Sequence, residues 1–481
     1  MKKRLTQHRT QYRTQNRWDS AIEGNPNAWR RISPPRLFVG SFVILIAIGT
    51  LGFLYLPGIH ADKPLSFSDS LFMATSAVCV TGLSVVDTST QFTFRGQAFL
   101  LLLIQLGGLG MLAFTSLVIQ VLGFRLTIGT ESLTYEPRRG GPRVNLRRLT
   151  RDVILYTFIF EAIGAVALLS VWGPRSGFEQ AWWPAIFHSV SAFCNAGFST
   201  FGDSLVGLRD SPLTILILSV LIVAGGLGFV TMEESWLCYR AHRRQAKKNK
   251  RKRRMSLHSQ LVLITSGLLI LVPWPMFAFF EWNNTLVDFS LIDKISNSFF
   301  LSITPRTAGF NSIDYAAASD STNFLTILLM TIGGSPGSTA GGMKTTTFAL
   351  ILLLAWSRIR GNETTVFRNR SIPEDTTQRA IGLAVVAGVL MAMSVFALAI
   401  SDGTPNPHGG FLARMFEAVS AFNTVGLSMN LTQALSFSGR LVTIAMMFVG
   451  RVGPLMLASA LVIGRGRRGR FRYAYEDVAV G

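Results

Sequence analysis

Apolar residues run along this chain in blocks of two lengths that alternate in a fixed order. A long block comes first, at about 37–56, 153–172, 259–280 and 380–400. A shorter block follows each, at about 67–80, 182–194, 290–304 and 411–423, and then a second long block, at about 98–122, 213–237, 323–355 and 440–463. As helices, blocks of about 20 residues cross a hydrocarbon layer of roughly 30 Å, whereas blocks of about 14 fit a half-helix that enters a membrane and stops. The pattern predicts an all-α integral membrane fold of four units, each a helix, a re-entrant half-helix and a helix, around a pseudo-fourfold pore with eight transmembrane spans. The units cover 37–123, 152–238, 258–356 and 378–464, between a basic tail at 1–36 and a second tail at 465–481.

Each short block ends in a related string: SAVCVTGLS (76–84), SAFCNAGFS (191–199), SITPRTAGF (302–310) and SAFNTVGLS (420–428). Their shared glycines, Gly82, Gly197, Gly309 and Gly426, are separated by 115, 112 and 117 residues. Even spacing of this kind marks an internal repeat.

Charge orients the units. Lys and Arg number 9, 7, 10, 5 and 5 in the segments 1–36, 124–151, 239–254, 356–380 and 463–472, which is 36 of the 46 in the chain. Two spans per unit put all five segments on one side; three spans would split them 24 against 12. Since basic residues collect on the cytoplasmic side, two spans per unit are expected. Both termini are then cytoplasmic, and the glycine strings enter from outside a multi-pass protein of the cell (inner, plasma) membrane.

The rest of the composition closes off other classes. Net charge is +20, but it lies in short segments between apolar blocks, so nucleic acid is not the expected partner. Cys79, Cys194 and Cys238 lack CxxC spacing, and the six histidines form no paired-ligand pattern. No cofactor, catalytic residue or enzyme activity is expected, and membrane lipid surrounds the protein. The polar stretch 1–36 is too long for a secretory leader, and a span-sized block follows it.

A half-helix that stops inside a membrane leaves backbone polar groups to be satisfied, which is tolerated where they line a wet cavity. Four such ends around one axis would turn their negative dipole ends towards a cation. The following strands would offer carbonyl oxygens in place of its hydration shell. Glycine there permits backbone angles closed to other residues. The expected ligands are the backbone of Val80, Thr81 and Gly82; Asn195, Ala196 and Gly197; Thr307, Ala308 and Gly309; and Thr424, Val425 and Gly426.

The second long block of the third unit is interrupted by GGSPGSTAGG (333–342). Glycines and a proline at this density do not continue a helix. The other units carry milder glycine clusters, GGLG (107–110), GGLG (225–228) and GRVG (450–453), 24 to 28 residues past the shared glycine. Only the third block is broken this badly, and an asymmetric feature in a fourfold pore is where a gate belongs. The gate residues are Gly333, Gly334, Ser335, Pro336, Gly337, Ser338, Thr339, Ala340, Gly341 and Gly342, with Lys344 and Arg451. Arg451 stands inside the last apolar block, where a charge normally faces a cavity or partner, and its five donors suit the loop's carbonyls. The loop is not a nucleotide-binding P-loop: its lysine comes one position late and no strand precedes it. Glu161 and Glu417 are apolar-flanked and read as hydrogen-bond acceptors behind the strands rather than as ion ligands.

The four glycine strings resemble the filters of the Trk/Ktr/HKT superfamily of potassium transporters over nearly the whole chain from residue 37. The start of the first block near 37, and the ending RYAYEDVAVG, are most similar to KtrB-type membrane subunits. The resemblance implies potassium as substrate, with or without sodium, and an intramembrane loop obstructing the path at 333–342. It also implies a basic residue at the place of Arg451, a homodimer, and a separate cytosolic nucleotide-binding ring of the KtrA/TrkA kind. The chain has no Rossmann-type unit of its own, so the basic segments 239–254 and 356–380 are the surfaces open to that ring. Glycine at all four filter positions implies preference for potassium; a sodium-selective or weakly selective transporter of the same superfamily is the alternative.

Overall fold

The computed structural model describes residues 34–109, 146–245, 255–402, 410–453 and 457. Most of 1–36, 124–151 and 239–254, the ends of the blocks 98–122 and 440–463, and the tail at 465–481 lie outside these residues.

The described chain is helical apart from one small hairpin. In order it forms α1 (Pro34–Tyr55), α2 (Phe67–Cys79), a short α3 (Thr88–Gln91), α4 (Phe94–Leu109), α5 (Leu146–Ser176), α6 (Phe178–Cys194), α7 (Pro212–Gly226) and α8 (Phe229–Gln245). Then come α9 (Leu257–Leu271), α10 (Pro273–Glu281), α11 (Leu291–Ile303), α12 (Asp320–Met330), α13 (Thr345–Ile359), the strands β1 (Val366–Phe367) and β2 (Arg370–Ser371), α14 (Glu374–Ser401), α15 (Phe411–Phe422) and α16 (Phe437–Val452). The strands pair antiparallel around Arg368 and Asn369, which both have positive φ.

By length and composition, four described helices can cross a membrane: Pro35–Tyr55, Arg151–Ser176, Leu257–Glu281 and Glu374–Ser401. Each is the first long block of an expected unit. Pro212–Gly226 and Phe229–Arg240 make a fifth only if read as one span bent by 102°. That bend is a break at the milder glycine cluster of the second unit. It falls at Leu227 and Gly228, where the chain makes room for the 333–342 loop: Phe229 N donates to Gly337 O at 3.1 Å, and Ser335 N to Gly226 O at 3.0 Å.

The short helices α2, α6, α11 and α15 form the centre. Side-chain hydroxyls cap two of them: Ser66 accepts from Asp69 N on α2 and Ser290 from Asp293 N on α11, each supplying an acceptor to an otherwise unpaired N–H. Each short helix packs on the long helix before it, α1 on α2, α5 on α6, α10 on α11 and α14 on α15. The long helix after each also reaches the next short helix: α4 packs on α6, α7 on α11, α12 on α15, and α16 returns to α2. The order is circular. Polar contacts mark the seams on one side: Trp183 Nε1 donates to Gln97 Oε1 at 2.7 Å, Asn297 Nδ2 to Arg209 O at 2.8 Å, and Asn430 Nδ2 to Asp314 Oδ1 at 3.3 Å. Arg440 pairs with Asp69 at the seam between last and first.

Candidate functional site

At or shortly beyond the end of each short helix the backbone turns into the left-handed region. Val80 and Asn195, the C-caps of α2 and α6, have φ of 56° and 58°. The freed amides then reach back: Thr81 N donates to Ser76 O at 2.8 Å, Ala196 N to Ser191 O at 2.7 Å and Val425 N to Ser420 O at 2.8 Å. Two residues past each cap-region residue the chain is left-handed again, pairing Val80 with Gly82, Asn195 with Gly197, Thr307 with Gly309, and Thr424 with Gly426. Positive φ is a genuine outlier for β-branched residues such as Val80, Thr307 and Thr424, and it recurs at the same place in all four strings.

The four glycines form a closed ring. A Cβ built on Gly82 would collide with Ala196 O, one on Gly309 with Val425 O, and one on Gly426 with Thr81 O; on Gly197 it would lie 2.9 Å from Ala308 O. Each glycine thus abuts the carbonyl just before the next glycine, and the fourth abuts the first string. Any side chain at these positions would strike backbone. The structure brings together all twelve residues expected from the sequence around this ring; ten are buried, and Gly82 and Gly426 are half-buried.

Hydroxyls behind the strands hold them. Ser76 and Ser420 accept from the N–H groups of Gly82 and Gly426, both at 3.1 Å. Ser191 donates to Phe198 O at 2.8 Å and Thr304 to Phe310 O at 2.7 Å. Thr304 was not legible as part of this set. Ser302 matches the other serines in the strings, but its hydroxyl turns to Phe299 O. The signal was the third string's one extra residue before its glycine.

On one side the ring opens into a cavity lined by all four glycines, by Ser84, Asp87, Ser199 and Asn311, and by Ser428 and Thr432. On the other side the 333–342 loop closes against it. Gly341 leaves no room for a side chain beside the Thr424 hydroxyl, and a Cβ on Gly342 would lie 2.8 Å from Asn423 Oδ1. The Asn195 amide meets Thr339 Oγ1 at 3.2 Å. Gly333 N donates to Met343 O at 2.8 Å, and Thr345 N to Gly334 O at 3.1 Å, tying the two ends of the loop together.

Two cations hold adjacent carbonyls of this loop. Arg451 Nη1 donates to Thr339 O, and Lys344 Nζ to Ala340 O at 2.7 Å. Arg451 Nη2 donates to Gly107 O at 2.8 Å, so one buried guanidinium joins α16, the loop and the end of α4.

The milder glycine clusters have a packing role. A Cβ on Gly107, Gly225 or Gly450 would collide with Val78 O, Phe193 O or Phe422 O, each four residues before a ring glycine. In the third unit Gly333 meets Gly341 O of the loop instead. Glu161 accepts from Gln105 Nε2 at 3.1 Å, and Ser189 Oγ donates to its carbonyl at 2.7 Å. Glu417 accepts from Ser428 Oγ at 2.7 Å and from Thr432 Oγ1. Both glutamates are buried acceptors beside the short helices. Among the described residues no group of three or more His, Cys, Asp or Glu could hold a metal ion.

Residues 39–464 match the family model described as TrkH, cation transport protein. The chain is 36% identical over 457 residues to the Ktr system potassium uptake protein B of Bacillus subtilis, covering 94% of this chain and 98% of that one. It is 35% identical to the potassium/sodium uptake protein NtpJ of Enterococcus hirae, with the same two shares. In three dimensions it matches the crystal structure of the potassium transporter TrkH from Vibrio parahaemolyticus with a TM-score of 0.70, covering 91% of this chain and 87% of that one at 20% identity.

Proposed function

The chain belongs to the TrkH family of cation transport proteins, and on that premise we propose that it takes up potassium across the cell membrane through the glycine ring. This is a family of transporters and not of enzymes. The closed order of contacts from Gly82 through Gly197 and Gly309 to Gly426 carries the reading. Left-handed residues spaced two apart direct carbonyls to one side, and in four strands those carbonyls replace an ion's hydration shell.

In this reading the filter is made by residues 80–82, 195–197, 307–309 and 424–426. Eight spans surround it in four units, with the short helices re-entrant and both termini cytoplasmic. The 333–342 loop is the gate below it, held by Arg451 and Lys344. The relatives' names support potassium as the substrate, and that of NtpJ supports a link to sodium. We assign the protein to the plasma membrane as a homodimer, with lipid or a second copy against the exposed apolar side of α14, where Phe396 is 70% exposed. Nucleotide control belongs to a separate cytosolic ring, met in part by the basic segment 356–380.

Growth of a potassium-uptake-deficient bacterium at low potassium tests the reading. The chain, expressed with its cytosolic partner, restores growth. Failure to grow, with the protein present in the membrane, overturns it. Rubidium uptake across a range of sodium concentrations then separates sodium-dependent potassium uptake from sodium transport. In liposomes, full ATP-responsive uptake by the chain alone would remove the partner from the scheme.

A further inference from the structure

Glu417 stands fully buried on the last short helix, α15, with no basic side chain among its hydrogen-bond partners. Both its carboxyl oxygens take hydroxyl protons. Ser428 has one proton to give, and its oxygen accepts from Leu431 N at 3.2 Å and Thr432 N at 3.5 Å, so its proton goes to Glu417 Oε2. Thr432 serves Oε1. Backbone dipoles, two hydroxyls and the carboxylate therefore form one chain whose hydrogen bonds support the ionised form against the burial that opposes it.

The two hydroxyls also line the cavity outside the ring. The negative charge is thus one hydroxyl away from that cavity, screened from it by side chains and not by bulk water. Asp87 is the only charged side chain among the cavity's described lining residues, and it too is negative. Its Oδ1 is occupied by Ser89 N and Ser89 Oγ, both at 2.8 Å. A mouth with charge of one sign and low-dielectric walls raises the local concentration of counter-ions.

We propose that Glu417 is an affinity-determining residue, whose carboxylate raises cation occupancy at the outer mouth of the ring through Ser428 and Thr432. The proposal rests on the uptake reading above. It assigns Glu417 an electrostatic role towards the ion, with no direct contact, in addition to its hold on the turn at 428–432.

Glu417→Gln is the isosteric test. The amide keeps an acceptor for Ser428, and Thr432 can reverse its hydroxyl to accept from the new N–H, so the network survives while the charge goes. In liposomes holding the chain with its partner, the KM for rubidium rises by roughly threefold to tenfold, the size expected of one partly screened charge, and rises more than the maximal rate falls. The excess KM over wild type shrinks as impermeant choline chloride is raised, because salt screens the field in the cavity. Glu417→Asp, which keeps the charge, stays closer to the wild-type KM than the glutamine variant does. An unchanged KM in Glu417→Gln, equal KM values for the Asp and Gln variants, or a KM excess indifferent to salt overturns the proposal. Should Glu417→Gln not reach the membrane, Asp87→Asn decides. With that carboxylate removed, its KM must still rise with choline chloride, and a salt-independent KM overturns the proposal. A wild-type chain that takes up no rubidium would instead overturn the uptake reading itself, which separates the two failures.

Discussion

A side chain on Gly426 would collide with the carbonyl oxygen of Thr81, so the last glycine string meets the first through backbone alone. The two residues are far apart in sequence, yet the contact matches those between neighbouring strings. What the chain closes is a ring of carbonyls, and ring size is then set by how near four backbones approach.

Selectivity should therefore be the first property lost when a ring glycine gains a side chain. Gly82 has a φ of 96°, and a Cβ there would collide with Ala196 O and lie 3.2 Å from Gly197 Cα. Left-handed geometry alone costs a serine about 1–2 kcal/mol. Gly82→Ser is expected to lower potassium-over-sodium selectivity by about tenfold, corresponding to about 1.4 kcal/mol. Rubidium uptake under sodium competition measures it, and unchanged selectivity would remove Gly82 from the filter.

Two helix glycines should respond to alanine in opposite directions. Gly450 lies against Phe422 O, where a methyl group collides with backbone, whereas nothing lies within 4 Å of a Cβ on Gly388 in α14. Gly450→Ala forces α16 from α15 and is expected to cost about 2–3 kcal/mol. Gly388→Ala is expected to stabilise by about 0.5–1 kcal/mol, through helix propensity. Thermal unfolding in detergent compares them; similar effects in the two variants would mean that the Gly450 contact does not hold the helices together.

The seam between the last and first units is closed outside the ring by Arg440 and Asp69, whose side chains are 23% and 21% exposed. Asp69 is also held by Ser66 Oγ at 2.7 Å. Partial exposure limits the pair to about 1 kcal/mol. Arg440→Ala should lower the detergent unfolding temperature by a few degrees, and the loss should deepen little when Asp69→Asn is added, since they share one interaction. Fully additive losses would show that the two side chains do not stabilise each other.

What the sequence made legible follows from what repeats locally. The four short helices and their glycines were readable because apolar length and string spacing are properties of contiguous residues. The bend at Leu227 and Gly228 was not readable. The identical string GGLG stands at 107–110 and 225–228, so nothing local singles out the second copy for a contact with the loop. The bend there goes with tertiary partners, since the carbonyls of Gly225 and Gly226 receive Thr339 N and Ser335 N from the loop. Thr304 was hidden by a one-residue change in register. Arg451's reach to the loop was expected from its offset, but its second partner, Gly107 O, is 344 residues away and lacks a side chain to betray it.

That second partner sharpens the expectation for the gate. Arg451 spans two backbone carbonyls, Thr339 O on the loop and Gly107 O at the end of α4. A hydrogen bond from a charged donor contributes about 1.5–3 kcal/mol, so breaking the pair releases the loop from both neighbours and also removes a positive charge beneath the ring. Arg451→Ala is expected to raise basal rubidium flux by about tenfold or more, within that range of barrier change. Arg451→Lys should fall between, because an ammonium is a compact charge without the planar fork that spans two carbonyls. Deleting Gly337, where Phe229 N is tied to the loop, attacks the same barrier from its other attachment. If both changes act on one barrier, the double variant should exceed the larger single effect by no more than about twofold, since coupled sites are not additive. Barrier changes that add in full would assign the arginine and the loop to separate barriers and end the latch model. A fall in flux at normal protein levels would show that Arg451 is needed for the pore's folding or for ion passage, and the single-barrier account would fail there as well.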